Sequence, residues 1–109
     1  MNLKLTILEQ ISEDFNISTN DILGESRMSE IVDARCVLAS VFFDLKFSKS
    51  EIGRYLNRDH TTIMNLIKRV EKNEILSSLR VSYTQIFKHK INKVKWKKIK
   101  NNAITSGVN

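Results

Sequence analysis

Within eight consecutive positions the chain sets Arg58, Asp59, His60, Thr61, Thr62 and Asn65, a group dense in directional hydrogen-bond donors and acceptors. Arginine can donate two hydrogen bonds to guanine O6 and N7, asparagine can pair with adenine, and aspartate can accept from an exposed amino group of a base. Threonine can donate to a base or set its methyl group against that of thymine. This is chemistry that a major groove can address, provided the residues stand at the exposed beginning of a helix. Each also has a plainer reading. Asp59 suits the N-cap of a helix, and capping is its main role on either reading. His60 alone would be an ordinary exposed helix residue, and it is its company with Arg58, Thr61 and Thr62 that points to recognition. Lys68, Arg69 and Lys72 equally suit a solvated face beside Glu71 and Glu74.

Positioning these side chains requires a helix that starts at about residue 60, and the pattern supplies one. Ile63, Leu66, Ile67 and Val70 recur at helical spacing and predict an inward face for a helix over about 60–73. Before it, Ser48-Lys49-Ser50-Glu51 has the form of a capping box opening a short helix that carries Ile52, Tyr55 and Leu56. Asn57, a residue type that tolerates a left-handed turn, separates the two. Two short helices joined by a turn of three or four residues form a helix-turn-helix, over about 48–73. Upstream, Leu5, Leu8, Ile11 and Phe15 line one face of a first helix that ends at Asn16. Ser18 to Leu23 predicts a short turn closed by Gly24, residues 24–29 a polar loop, and Ser29 the cap of a helix over about 30–45. That helix is apolar nearly all round, hence buried, with Cys36 as a small core residue. Residues 75–87 form another amphipathic helix. From 88 to 100 lysines alternate irregularly with Ile91, Val94, Trp96 and Ile99, a stretch readable as a basic helix or a disordered tail, and 101–109 read as disordered.

The run Ile52-Gly53-Arg54-Tyr55-Leu56-Asn57-Arg58-Asp59-His60-Thr61-Thr62-Ile63 resembles the signature of the C-terminal DNA-binding domain of DnaA, the bacterial replication initiator. Arg58 to Thr62 is identical to the run that opens that family's recognition helix. Ile17-Ser18 to Ile22-Leu23, Ala34-Arg35, and Ser48 with Glu51-Ile52-Gly53 extend the resemblance over roughly residues 5–87. It implies an all-α fold, a compact helical bundle of the Trp-repressor-like or DnaA C-terminal type with a helix-turn-helix, to which this sequence adds a basic C-terminal tail. It further implies that Arg58, Asp59, His60 and Thr61 sit at or near base edges, to which the residue chemistry adds Asn65. Thr62 and Arg69 would meet phosphates, with Lys68 as an alternative. Ser48 and Ser50, with Lys49 between them, would approach the DNA backbone, and Arg35 would face phosphate. The sequence departs from the pattern in three places. Its turn reads Tyr55-Leu56-Asn57-Arg58 where the family commonly has Phe-Gly-Gly-Arg. The loop before residue 35 has Arg27 in place of a basic cluster, and the lysine-rich stretch beyond 88 has no evident counterpart.

Composition bounds the remaining classes. The 109 residues suit one domain, read as residues 1–87 with an extension over 88–109, and the absence of proline with only three glycines favours helices over hairpins. Residues 1–74 hold ten Lys/Arg against twelve Asp/Glu, whereas 75–109 hold eight Lys/Arg and no acid. Arg80 apart, that positive charge is Lys88, Lys90, Lys93, Lys95, Lys97, Lys98 and Lys100, which suits either a polyanionic partner or a solvated tail. One cysteine, no zinc-type spacing, no signal-peptide pattern and no membrane-length apolar run make a cytoplasmic, nucleoid-associated protein without cofactor the expectation. Two histidines and no paired carboxylates argue against an enzyme, and no Gly-x-x-x-x-Gly-Lys-Ser/Thr loop is present to serve an ATPase. Sequence-preferring binding of double-stranded DNA by a stand-alone module, in replication control or transcription regulation, is the leading expectation. A monomer is favoured, a replication or transcription protein is a further candidate partner, and the Lys/Asn/Ile richness suits a phage or mobile element. The alternative is a module for protein interaction or non-specific nucleic-acid binding that uses the basic tail with Trp96.

Overall fold

In the computed structural model, which describes the backbone of residues 2–105 and the side chains of residues 2–91, the chain forms six helices and, among the described residues, no strand. They are α1 (Leu3–Phe15), α2 (Thr19–Leu23), α3 (Ser29–Asp44), α4 (Lys49–Leu56), α5 (His60–Glu71) and α6 (Glu74–Thr105). The boundaries follow local chemistry. The side chains of Asn2, Ser18, Ser48 and Asp59 each accept from a backbone N–H in the first turn of the helix they precede. Asn16 and Asn57 take the left-handed conformation, with φ of 55° and 53°, and so end α1 and α4.

The core is organised around α3, which packs against each of the other five helices. This explains its apolar character on every side: Ala34, Cys36, Val37, Leu38, Ala39, Val41 and Phe42 are all fully buried. Burial raises the Cys36 thiol to about 11, so the group stays protonated and unreactive near neutral pH. The Phe42 ring meets Phe47 and Tyr55 edge-on, at centroid distances of 5.6 and 5.4 Å, and thereby fixes α4 to the end of α3. On the opposite side, Arg80 donates two hydrogen bonds of 2.7 Å to the Asp44 carboxylate, and the Thr84 hydroxyl lies 3.2 Å from the same group. The Tyr83 hydroxyl donates to Asp14 at 2.6 Å, which ties α6 to α1 as well.

Three expectations change. The N-cap of α3 is Met28, with no side-chain cap, and Ser29 is already helical; the Ser26 hydroxyl accepts from the Met28 N–H instead. Residues 88–105 continue α6 without a break, including 101–105, which were expected to be disordered. Nothing in 74–105 interrupts a helix, since neither glycine nor proline occurs there. Finally, Arg80 belongs to Asp44 and does not contribute a free charge to the basic C-terminal stretch. The side chains of Trp96, Lys93, Lys95, Lys97, Lys98 and Lys100 lie outside the described residues, whereas Lys88 and Lys90 are exposed.

Candidate nucleic-acid interface

The start of α5 is fixed from both sides of the turn. In α4 the capping box is complete: the Ser48 hydroxyl accepts from the Glu51 N–H at 3.1 Å, and the Glu51 carboxylate accepts from the Ser48 N–H at 3.4 Å. That N–H, with the Ser48 hydroxyl and nearby Lys4, holds the Glu51 carboxyl below its usual range. At the other end of α4 the Arg58 N–H donates to the Gly53 carbonyl at 2.8 Å across the left-handed Asn57. The turn therefore consists of Asn57, Arg58 and Asp59. Asp59 then accepts from the Thr62 N–H at 2.8 Å, which caps α5 and lowers its carboxyl.

From this fixed beginning α5 presents one continuous polar stripe. Thr61, Asn65, Lys68 and Lys72 are exposed at i, i+4, i+7 and i+11, opposite buried Ile63, Ile67 and Val70. His60 is exposed beside Thr61, Thr62 is half-buried, and Asp59 is exposed while serving as the cap. The face thus carries donors and acceptors of several kinds on a helix that the rest of the domain holds still, as reading of base edges requires. Arg69 lies 3.8 Å from the Asp33 carboxylate and remains exposed.

Two arginines expected at DNA are otherwise engaged. Arg35 is 4% exposed, and its guanidinium donates to the carbonyls of Ile22 at 2.8 Å, Ser26 at 3.0 Å and Asp21 at 3.2 Å. It holds the loop between α2 and α3 together and does not face phosphate. Arg58 is half-buried and donates to the carbonyls of Leu56, at 2.6 Å, and Gly24. It clamps that same loop to the turn, so its side chain is not presented to a base here. Burial, and after it the nearby Arg58 cation, lower the pKa of Arg35. Ser48 is also occupied, since its hydroxyl both caps Glu51 and lies 3.2 Å from the Glu51 carboxylate. Ser50 is exposed, and the half-buried Lys49 ammonium stands 5.7 Å above the Phe43 ring.

Between the outer face of α4 and the start of α5 lies an open cleft of about 400 Å³, bordered by Lys49, Ser50, Arg54, Asn57, Asp59 and His60. Arg54 was not among the residues that the sequence singled out. Its signal was present, because Ser50, Arg54 and Asn57 recur at i, i+4 and i+7, opposite the apolar Ile52 and Leu56. No helix of the described residues is long and apolar enough to cross a membrane, and no cluster of three potential metal ligands occurs among them.

Comparison with known proteins converges on the same region. A family model described as the bacterial dnaA protein helix-turn-helix matches residues 5–70. Among similar proteins is the chromosomal replication initiator protein DnaA of Deinococcus deserti, 36% identical over 67 residues, which cover 61% of this chain and 15% of that protein. The proteins of the same name from Spiroplasma citri and Campylobacter concisus are each 31% identical, over 105 and 104 residues, and cover 88% and 94% of the chain. In both cases the match spans 21% of the relative's length. A match over 94% of the chain necessarily runs into the lysine-rich stretch, which therefore does have a counterpart in a relative.

Proposed function

Since the chain belongs to the bacterial DnaA helix-turn-helix family, we propose that it binds duplex DNA with a sequence preference, laying the beginning of α5 in the major groove. The observation that carries this reading is the stripe of Thr61, Asn65 and Lys68, exposed along a helix whose start is held by Asp59 and by the turn from Gly53. His60 and Thr61 reach base edges in the first turn, Asn65 does so one turn later, and Lys68 and Arg69 meet the flanking phosphates. Asp59 contributes mainly by capping, and with its carboxylate so engaged it offers an acceptor at the groove.

We further propose that this module acts by occupying sites and not by catalysis. The 109 residues contain no phosphate-binding loop of the Gly-x-x-x-x-Gly-Lys-Ser/Thr type. Occupancy alone suffices to mark a replication origin or to repress a promoter, and one copy per asymmetric site is the expected arrangement. Lys88 and Lys90, exposed on α6, favour an added grip on DNA that does not depend on sequence.

Fluorescence anisotropy of the full chain on labelled duplexes tests the proposal. One duplex carries a DnaA-type box and the other a shuffled version, each titrated at two salt concentrations. Tighter binding to the box that persists at the higher salt is the expected result. Equal binding to both, weakening in parallel with salt, would overturn sequence preference for that box and leave a non-specific grip by the lysines.

A further inference from the structure

Four arginines of the described residues already face an internal partner, although Arg69 does so from an exposed position. Arg35 and Arg58 are held by carbonyls, Arg80 by Asp44, and Arg69 lies beside Asp33. Arg54 differs from these. It is exposed, it borders the cleft between α4 and the start of α5, and no hydrogen-bond or ion-pair partner occupies it among the described residues. It also borders the neighbouring hollow lined by Lys4, Ser48, Glu51 and Tyr55.

Two carboxylates border these hollows, and neither is paired with Arg54. Asp59, across the cleft, accepts from the Thr62 N–H, and Glu51 accepts from Ser48 and lies 3.7 Å from the Lys4 ammonium. The cleft border also carries the Lys49 ammonium, and Ser50, Asn57 and His60 add further hydrogen-bonding groups. About 400 Å³ is ample for a phosphodiester group and its waters. A planar guanidinium presents a fork of donors suited to two phosphate oxygens at once.

We propose that Arg54 is a DNA-contacting residue of this interface, which grips a backbone phosphate seated in the cleft between α4 and α5 that Lys49 also borders. The inference rests on the reading of α5 as the recognition helix. In that arrangement the phosphate lies beside the groove that Thr61 and His60 enter, so Arg54 sets the register of the domain on the duplex and reads no base.

The test uses the full chain and the same pair of duplexes, with R54A and R54K measured over a series of salt concentrations. R54A is expected to weaken both duplexes by about five- to tenfold near physiological salt and to lower the slope of log K against log salt by about one. The ratio of affinities for the box and the shuffled duplex should stay the same, and R54K should restore most of the slope. Unchanged affinity and slope in R54A, at an unchanged melting temperature, would overturn the proposal. A loss confined to the box would overturn it too, because Arg54 would then read a base. If the wild-type chain does not distinguish the duplexes but R54A still lowers the slope, the phosphate contact stands and the sequence-reading account fails.

Discussion

The carbonyl oxygen of Arg58 occupies the space that any side chain on Gly53 would need: a Cβ built there would lie 2.5 Å from it. The same two residues share the 2.8 Å hydrogen bond that closes the turn between α4 and α5. Helix α5 can start where it does because residue 53 is glycine, which allows backbone to approach backbone closely.

Gly53→Ala should therefore force the turn open. Overpacking of this kind costs about 1–3 kcal/mol, which for a domain of this size lowers Tm by roughly 4–20 °C. Thermal unfolding followed by circular dichroism checks this. The loss of DNA affinity should exceed what the unfolded fraction explains, since the start of α5 moves with the turn.

Arg35→Ala should be among the most damaging substitutions although it removes no DNA contact. The carbonyls of Ile22 and Ser26 lose their side-chain donor while that of Asp21 keeps the Gly24 N–H, and a buried acceptor left without a partner costs about 1–3 kcal/mol. Solvent can rescue part of this at Ser26 and Asp21, so a total of about 3 kcal/mol is expected by chemical denaturation. Arg35→Lys should recover little, because an ammonium cannot reproduce the guanidinium fork.

These two residues mark where the sequence is legible and where it is not. The helix-turn-helix could be read because its determinants are local: the Ser48–Glu51 box, Asn57, Asp59 and the apolar period of α5 all act within a few residues. The roles of Arg35 and Arg58 could not, since the partners of Arg35 lie 9 to 14 residues away and Arg58, besides its neighbour Leu56, reaches Gly24 34 residues away. An arginine beside a recognition helix has the same appearance in sequence whether it points at a phosphate or at a carbonyl. Arg54 was overlooked although it stands inside the signature run, because attention fell on the polar cluster that opens α5 and not on the outer face of α4 that Arg54 shares with Ser50 and Asn57. The extent of α6 was left open over 88–100, readable as helix or tail, because irregularly alternating lysines give no helical stripe to read.

The clasp of α6 on α3 should be measurable separately. Arg80→Met removes both 2.7 Å bonds to Asp44, and hydrogen bonds to charged groups contribute about 1.5–3 kcal/mol. A loss of about 2 kcal/mol in urea unfolding is expected, with Asp44→Asn giving a smaller loss because an amide oxygen can still accept. DNA affinity at low temperature should be unchanged in both variants.

Stability should fall on acidification, and the direction follows from the caps. Asp59 and Glu51 have carboxyls lowered in the folded chain by N–H donors, Thr62 for the first and Ser48 for the second. A lowered pKa means that the stabilisation is fully present above the unfolded value, near pH 4, and is lost as pH drops through the folded value. Tm should therefore be flat from neutral pH down to about 5 and then decline. In Asp59→Asn combined with Glu51→Gln, which keep acceptors at both caps, the decline should be shallower.

The most direct test of the account concerns α5 itself. His60→Ala and Thr61→Ala should leave Tm near that of the wild type, because both side chains are exposed. Each should reduce the affinity for the DnaA-type box by about 1–3 kcal/mol while hardly changing that for the shuffled duplex. The ratio of the two affinities is the quantity to measure, by anisotropy at one fixed salt concentration. Collapse of that ratio toward unity would establish that the first turn of α5 reads sequence; an unchanged ratio in both variants would contradict it.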